Sequence, residues 1–357
     1  MTSPFYDIAL ASLYSTRLRH HLTLLDRYKT AEEVWRHLDE PGMKDAEQKA
    51  QRELEWIQQH GIRVWTLADE AYPYRLRQCP DCPPVLYSKG NVNPSDAHMV
   101  SIVGTRRATE RGKELTRGLV RDLHEQIDQL TIVSGGAYGI DINAHRAALE
   151  FGVPTIIIPA HGLDRIYPLQ HRQDAIRALE NGGLMTEYMS GTEPLAPYFV
   201  QRNRIVAGLA DAVVVVESKA KGGSLITAQM ACDYNRELFA FPGRPQDELA
   251  RGCNDLIRRQ QAHLIECADD LVAAMSWTPR KDKGKGVQTQ LIGLNSDLSE
   301  RQQTLLQKLQ EAEEGLHINL IVMETGLPYG DVASDLVMME IDGLVKSMPG
   351  GIYRIVR

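Results

Sequence analysis

Short apolar runs that end in glycine and precede helix-length segments constrain the fold of this chain most. Residues 99–103 end at Gly104 before a helical stretch over 109–126, and residues 130–134 repeat the arrangement, ending at Gly135-Gly136. Buried-type runs follow at 153–158, 184–187, 212–217 and 237–241. Right-handed crossovers between such strands leave few topologies. The alternation therefore predicts an α/β fold with a doubly wound, mainly parallel sheet and helices on both faces.

The segments on either side of this region predict further domains. Residues 4–59 carry apolar residues at near-helical spacing, which predicts a small helical domain of the SAM or helix-hairpin-helix kind. The proline-rich residues 62–91 favour an extended connector. Past a polar, glycine-bearing stretch, three helices and a hairpin outline a winged helix. We predict a helical domain and connector over 1–90, a Rossmann-like domain over 91–276, a linker over 277–295 and a winged-helix domain over 296–357.

Charge and composition narrow the class of protein. The formal net charge is −7, which argues against a protein that coats nucleic acid with its whole surface, so phosphate binding needs a local basic patch. The sequence contains no apolar run long enough to span a membrane and no secretory signal, so we expect a cytoplasmic protein. Cys79 and Cys82 form a CxxC without a second ligand pair. We expect neither a metal nor a cofactor.

The first glycine turn follows the strand over 99–103. It comprises Gly104, Thr105, Arg106, Arg107 and Thr109. Backbone amides at a helix N-terminus attract anions, glycine permits close approach, and two guanidinium groups add positive charge. The turn therefore predicts a phosphate site. The alternative is a tight turn with two solvated arginines.

The second turn should lie beside the first, because parallel strands end at one edge of the sheet. Gly135, Gly136 and Tyr138 belong to it. Asp141 and His145 follow on the next helix. These two residues are either a helix N-terminal carboxylate and a packed imidazole, or acid and base groups of an enzyme.

Two further segments carry an aromatic ring, cations and glycines. Aromatic rings stack on bases and arginines contact phosphates, which is how single strands are bound without sequence preference. The alternative for Arg204, and less so for Arg202, is an internal ion pair. The candidate residues are Phe199, Arg202, Asn203 and Arg204, then Lys221, Gly222, Gly223 and Ser224.

Taken in order, these motifs resemble the DNA-processing protein A family (DprA, also called Smf). The matching segments are 102–106, 134–141 with Ala144-His145, 162–168, 202–209, 223–228, 242–243 and 252–257, with a lead-in at 72–73 and 85–91. The resemblance implies single-stranded DNA as ligand, the RecA recombinase as partner, no catalytic step, and a homodimer formed through the central domain. It also implies that Arg106 lies in the DNA pocket with Phe199, Arg202, Asn203 and Arg204.

The sequence departs from the family pattern at a few positions. Tyr138 stands where a basic residue is common, and Val200 stands where a proline is common. A tyrosine there can stack on a base instead. The N-terminal region lacks a Gly-x-Gly hairpin near Ser15-Thr16, which favours a structural or protein-contact role for it.

Two rival functions remain open on the sequence. A nucleotide-binding or nucleotide-hydrolysing enzyme needs an acid or base in the pocket, and Asp141, His145 and Glu217 are the candidates. A transcription factor needs a recognition helix that enters duplex DNA. The helix predicted over 329–344 is acidic and would be repelled by a major groove, so a protein-binding wing is favoured.

Overall fold

The computed structural model describes residues 3–280, 299–312, 315–342, 344–348 and 351–355. Contacts between residues divide the chain into two units, with the boundary between residues 281 and 282. Of the predicted linker over 277–295, only residues 277–280 are among those described.

Within residues 3–280 the chain forms a nine-stranded sheet. Its strands are β1 (Arg63–Thr66), β2 (Val85–Gly90), β3 (His98–Val103), β4 (Leu130–Ser134), β5 (Thr155–Ile157), β6 (Gly182–Thr186), β7 (Ala212–Val215), β8 (Glu237–Ala240) and β9 (His263–Leu264). The spatial order is β1-β2-β6-β5-β4-β3-β7-β8-β9. All neighbours from β6 to β9 run parallel, and the two remaining pairs, β1–β2 and β2–β6, are antiparallel. The predicted mainly parallel sheet is confirmed.

Helices cover both faces of this sheet. Along β3, Val100 and Ile102 join one buried core, while Met99 and Val103 join the other, as the alternation of side chains in a strand requires. The helices after β3 and β4 pack in the first core, and those after β6 and β7 pack in the second. The helices of the strand-rich region are α6 (Glu110–Gln126), α7 (Ile140–Phe151), α8 (Arg172–Ala178), α9 (Ala196–Leu209), α10 (Ser224–Asp233), α11 (Arg251–Arg258) and α12 (Ala268–Ala274).

The order of the strands creates a switch point beside β3. From β3 the chain winds through β4, β5 and β6 on one side and then returns to β7 on the other. The helices α6 and α10, which follow β3 and β7, consequently lie on opposite faces of the sheet. In open α/β sheets, ligands bind in the crevice that opens at the carboxyl ends of such strands.

The N-terminal part of the chain packs against the edge of the same sheet. Four helices, α1 (Phe5–Leu13), α2 (Leu18–Tyr28), α3 (Ala31–His37) and α4 (Met43–His60), precede β1. Their core includes Val85 and Tyr87 of β2. Proline density in residues 62–91 led us to expect an extended connector, but the structure places β1, β2 and the short helix α5 (Tyr74–Arg77) there. The prolines flank the two strands, where they cost no ladder hydrogen bond.

The second unit has the predicted winged-helix arrangement. Among its described residues the elements are α13 (Glu300–Glu311), β10 (Leu316–His317), α14 (Ile318–Thr325), α15 (Tyr329–Ile341), β11 (Val345–Met348) and β12 (Ile352–Ile355). Its strands form an antiparallel sheet in the order β10-β12-β11. Among the described residues of the whole chain, no helix is both long and apolar enough to cross a membrane.

Candidate nucleic-acid interface

A cleft of about 280 Å³ opens at the switch point, between the carboxyl ends of β3 and β7. Its wall is made by the turns after β3, β4 and β7 together with residues 199–206 of α9. The three glycine-bearing turns singled out in the sequence therefore meet at one edge of the sheet.

The N-terminus of α6 is filled by a carboxylate of the protein itself. Glu217 accepts a hydrogen bond from the backbone N–H of Thr109 at 3.0 Å, although 108 residues separate the two. The Thr109 hydroxyl accepts from the Gly112 N–H at 3.0 Å and so caps the helix. An anion at a helix N-terminus is favourable, and Glu217 supplies it. Thr109 is therefore a capping residue and does not line the cleft.

Two glycines allow the second turn to close against its neighbours. A Cβ at Gly135 would lie 1.9 Å from Nη1 of Arg202. Gly139 has a φ of +79°, and a Cβ there would lie 2.1 Å from the carbonyl oxygen of Thr105. Gly139 requires glycine, because its φ is positive and the backbone of the first turn occupies the space of a side chain, whereas a side chain at Gly135 would displace the Arg202 guanidinium.

Arg202 and Asp141 form the floor of the cleft, that is, the buried charged residues that line it. Arg202 is 3% exposed, and its Nη1 donates to the carbonyl oxygen of Ile158 at 2.6 Å, whereas its Nε has no partner among the described residues. Burial lowers the pKa of Arg202 and raises the pKa of Asp141, and each charge partly offsets the effect of burial on the other. The floor therefore holds a buried cation with an unsatisfied donor.

Arg204 lies outside the cleft. It is 3% exposed and forms an ion pair with Glu187. Burial opposes the charged form of its guanidinium, but Glu187 and Asp81 outweigh burial and raise the pKa of Arg204. Of the two alternatives that the sequence left open for Arg204, the structure contains the internal ion pair.

The rim of the cleft consists of exposed lining residues, with a cation next to an aromatic ring. Arg106 is exposed, and its guanidinium carbon lies 5.5 Å from the ring centroid of Phe199. The Phe199 ring in turn contacts Tyr167 edge-on, with 5.9 Å between centroids. Lys219, also on the rim, pairs with Glu248 at 2.9 Å.

The N-terminus of α10 also faces the cleft. Gly222, Gly223 and Ser224 line it where α10 begins. The Ser224 hydroxyl donates to the hydroxyl of Ser218 at 2.9 Å and is buried. The positive end of the α10 dipole is thus directed at the cleft, unlike that of α6, where Glu217 intervenes.

The structure describes all sixteen residues predicted for the site. Ten of them line the cleft: Gly104, Thr105, Arg106, Gly135, Phe199, Arg202, Asn203, Gly222, Gly223 and Ser224. Six do not: Arg107, Thr109, Gly136, Tyr138, Arg204 and Lys221. Tyr138 is 43% exposed and donates to Gln170 at 2.9 Å, while Arg107 and Lys221 are exposed next to lining residues.

The cleft also contains residues that the sequence analysis did not select for the site. These are Val103, Ala137, Asp141, Val200, Val206, Ser218, Lys219, Ile226 and Thr227. Lys219 and Lys221 share one basic turn, and the sequence contains no signal that says which lysine faces inward. For Asp141 the sequence left two alternatives, a helix N-terminal carboxylate and a catalytic group.

The other two catalytic candidates are used elsewhere. His145 is fully buried, its Nδ1 lies 2.7 Å from the Thr155 hydroxyl, and burial lowers its pKa to about 3. It does not line the cleft. Glu217 caps α6. Asp141 is therefore the one of the three candidates that reaches the cleft.

A doubly wound sheet with a cation-rimmed cleft at its switch point, followed by a winged-helix unit, defines a Rossmann-like protein of two units. The chain belongs to the DNA-processing protein A (DprA/Smf) family. The family model described as DNA recombination-mediator protein A matches residues 63–276, and the DprA winged helix domain matches residues 294–351. The resemblance seen in the sequence motifs is confirmed.

Several relatives are similar to this chain over most of its length. Protein Smf of Synechocystis is 36% identical over 329 residues, which cover 84% of this chain and 82% of that protein. Protein Smf of Escherichia coli is 31% identical over 312 residues, covering 85% of this chain and 80% of that protein. DNA processing protein DprA of Streptococcus pneumoniae is 36% identical over 209 residues, which cover 58% of this chain and 73% of that protein.

Two solved structures are similar in fold. The crystal structure of Streptococcus pneumoniae DprA matches with a TM-score of 0.67 and 29% identity, covering 76% of this chain and 98% of that chain. The structure of DNA processing protein A from Helicobacter pylori is described for its single-stranded DNA binding mode. It matches with a TM-score of 0.54 and 32% identity, covering 60% of this chain and 96% of that chain.

Proposed function

We propose that this protein binds single-stranded DNA in the cleft at the carboxyl edge of its sheet, without sequence preference and without a catalytic step. The observation that carries the proposal is the rim, where the exposed guanidinium of Arg106 lies beside the ring of Phe199 over a floor formed by Arg202. The related Helicobacter pylori protein is described as binding single-stranded DNA.

Phosphate groups of the strand would be held by cations and backbone amides. Arg106 and Lys219 on the rim supply charge, and the start of α10 supplies N–H groups and the positive end of a helix dipole. Lys221, exposed two residues from Lys219, adds charge outside the cleft. The chain has a net charge of −7, so this local patch is what attracts a polyanion.

Bases of the strand would stack on the half-buried ring of Phe199 and on exposed rings near it. Phe199 lines the cleft, Tyr167 contacts Phe199 and is 52% exposed, and Tyr138 is 43% exposed. Stacking accepts any base because every base has a π-face, and it contributes about 1–3 kcal/mol per base. Tyr167, which lies in the matching segment 162–168 but was not among the predicted site residues, would thus be a further stacking residue.

Binding should fall steeply with salt and depend on the rim. We expect fluorescent oligothymidine to bind more tightly than a duplex of equal length, with an affinity that drops as salt rises. Arg106→Ala should weaken binding about tenfold for every sequence tested. Arg177→Ala, an exposed arginine of α8 away from the cleft, is the matched control. Equal affinities of wild type and Arg106→Ala would contradict the assignment of the cleft.

We further propose, from the family resemblance, that the bound strand is passed to RecA in the cytoplasm and that the protein acts as a homodimer through its central region. Strands incubated first with this protein should support RecA's DNA-dependent ATP hydrolysis with a shorter lag. A lag unaffected by the protein, together with normal strand binding, would reject RecA loading and leave the DNA site standing.

One observation favours an enzyme instead, because Asp141 reaches the cleft floor with its pKa raised by burial. A carboxylic acid of this kind can donate a proton. Turnover of nucleoside triphosphates or oligonucleotides by wild type that disappears in Asp141→Asn would support a nucleotide-processing enzyme. We expect no turnover, since burial and the neighbouring Arg202 give Asp141 a role in holding the floor.

A further inference from the structure

The helix α15 of the second unit exposes an uncharged row of residues along its length. Gly330, Ser334, Val337, Met338 and Ile341 are exposed and recur at helical spacing on one face. Ile341 is 73% exposed, Met338 51% and Val337 48%. Single exposed apolar side chains are common, but a row on one face marks an interaction surface. We call these five residues the apolar stripe.

The opposite face of α15 is packed against the core of its own unit. Val332, Leu336 and Met339 are fully buried in the core of the winged-helix unit. The helix therefore has two apolar faces, only one of which packs within its own unit. A helix that is apolar on both sides is stable in water when a partner covers the second side.

Carboxylates flank the apolar stripe on both sides. At 100° per residue, Asp331 and Asp342 fall on one flank and Glu340 on the other. Glu340 accepts hydrogen bonds from the backbone N–H and hydroxyl of Ser347, which lower its pKa and favour its charged form. Arg301 offsets part of the charge, because it pairs with Asp331 at 2.9 Å.

The negative charge beside the apolar stripe favours some binding partners over others. No lysine or arginine occurs from 329 to 345, so a DNA backbone would be repelled. A second copy of the same face would bring like charges together. A surface with cations beside an apolar row is complementary.

We propose that the apolar stripe binds an amphipathic helix of another protein, with an apolar row at its centre and lysine or arginine on its flanks. From 330 to 341 the stripe is about 16 Å long, enough for about three turns of a partner helix. Small residues at 330 and 334 permit close approach at one end, and Met338 adapts to different side chains at the other. This binding mode is that of a helix laid on an apolar surface through side chains spaced three and four residues apart.

Two synthetic helical peptides test the proposal on the full-length protein. Each has about 16 residues with a leucine row, and one carries lysine flanks where the other carries glutamate. Fluorescence anisotropy should detect binding of the lysine peptide and at least roughly tenfold weaker binding of the glutamate peptide.

Variants of exposed residues locate the binding surface. Val337→Glu/Ile341→Glu should weaken the lysine peptide at least about tenfold, since it puts charge into the apolar contact. Ile176→Glu, which alters a 38% exposed residue of α8 in the first unit, should bind like wild type. Asp342→Lys leaves the stripe intact and should weaken the lysine peptide by about two- to fivefold while strengthening the glutamate peptide.

Several results would overturn the proposal. One is binding of the lysine peptide that is unchanged in Val337→Glu/Ile341→Glu, and another is equal binding of the two peptides by wild type. Duplex DNA binding lost in that variant would assign the stripe to DNA. A fall in sedimentation mass in that variant would assign it to a second copy of the chain. Circular dichroism of each variant verifies that the helices are retained.

Discussion

The floor and the rim of the cleft contain the same type of cation in opposite surroundings. On the floor, Arg202 is 3% exposed and donates to a backbone carbonyl. Arg204, two residues further along the helix and outside the cleft, is equally buried and is paired with Glu187. On the rim, Arg106 is exposed and lies over the Phe199 ring. A buried cation is costly to leave unpaired, whereas an exposed one is free to meet a ligand. Proximity of an arginine to a binding cleft therefore does not make it a ligand contact.

The largest expected effect concerns the buried ion pair. Arg204→Ala should lower the free energy of unfolding by about 3–5 kcal/mol, because Glu187 is left as an uncompensated buried charge. Urea denaturation measures the loss. The double variant Arg204→Leu/Glu187→Leu should recover most of it, since both charges are removed. An Arg204→Ala variant as stable as wild type would contradict the distinction between buried, paired arginines and the exposed arginine of the rim.

The next effect is a pH dependence of stability that comes from buried histidines and not from residues of the rim. Burial lowers the pKa of His145 to about 3 from 6.5 and that of His21 to about 4. Below pH 6.5 the unfolded chain takes up protons that the folded chain does not, so stability is full above that pH. It should fall by up to about 1.4 kcal/mol per pH unit for each histidine as the solution is acidified. Asp7, whose pKa is raised to about 6, offsets part of this loss.

Urea denaturation between pH 7.5 and 5 measures this dependence. His145→Gln should unfold with a shallower pH dependence than wild type, while its affinity for oligothymidine stays the same because His145 does not line the cleft. Equal slopes for the two proteins would show that His145 is not the group that titrates.

Arg202 should combine the properties of floor and rim. Arg202→Ala is expected to cost about 2 kcal/mol of stability, because the Ile158 carbonyl loses its donor and Asp141 loses a nearby cation. It should also weaken oligothymidine binding, whereas Arg106→Ala should weaken binding with stability unchanged within about 0.5 kcal/mol. Measuring both quantities for both variants tests the comparison. If Arg202→Ala lost affinity without losing stability, Arg202 would act only as a ligand contact, as proposed for Arg106 on the rim.

The smallest effect distinguishes two lysines of one turn. Lys219 lines the cleft and Lys221 does not. If Lys219 contacts a phosphate, Lys219→Ala should reduce the slope of log affinity against log salt by about 0.7, the value for one contact to a single strand. Lys221→Ala should change the slope less. The reverse ranking would place the DNA path on the outer side of this turn.

The sequence by itself determined the architecture, because local periodicity and glycine turns decide where strands end and helices begin. The alternation over residues 98–241 was enough to predict the mainly parallel sheet, its carboxyl edge and the meeting of three turns there. The strands β1 and β2 escaped prediction because prolines lie between them and because β2 joins the sheet through β6, which is distant in the sequence.

The tertiary structure alone decided what each side chain of the site contacts. Glu217 accepts a hydrogen bond from Thr109, which is 108 residues away in the chain. Arg204 of α9 pairs with Glu187, which directly follows β6. Arg202 and Arg204 stand two residues apart on one helix, yet one lines the cleft and the other does not. Hydrogen-bond partners and burial depend on three-dimensional neighbours, which no local pattern contains, and these neighbours determine whether a charge holds the fold or is available to a ligand.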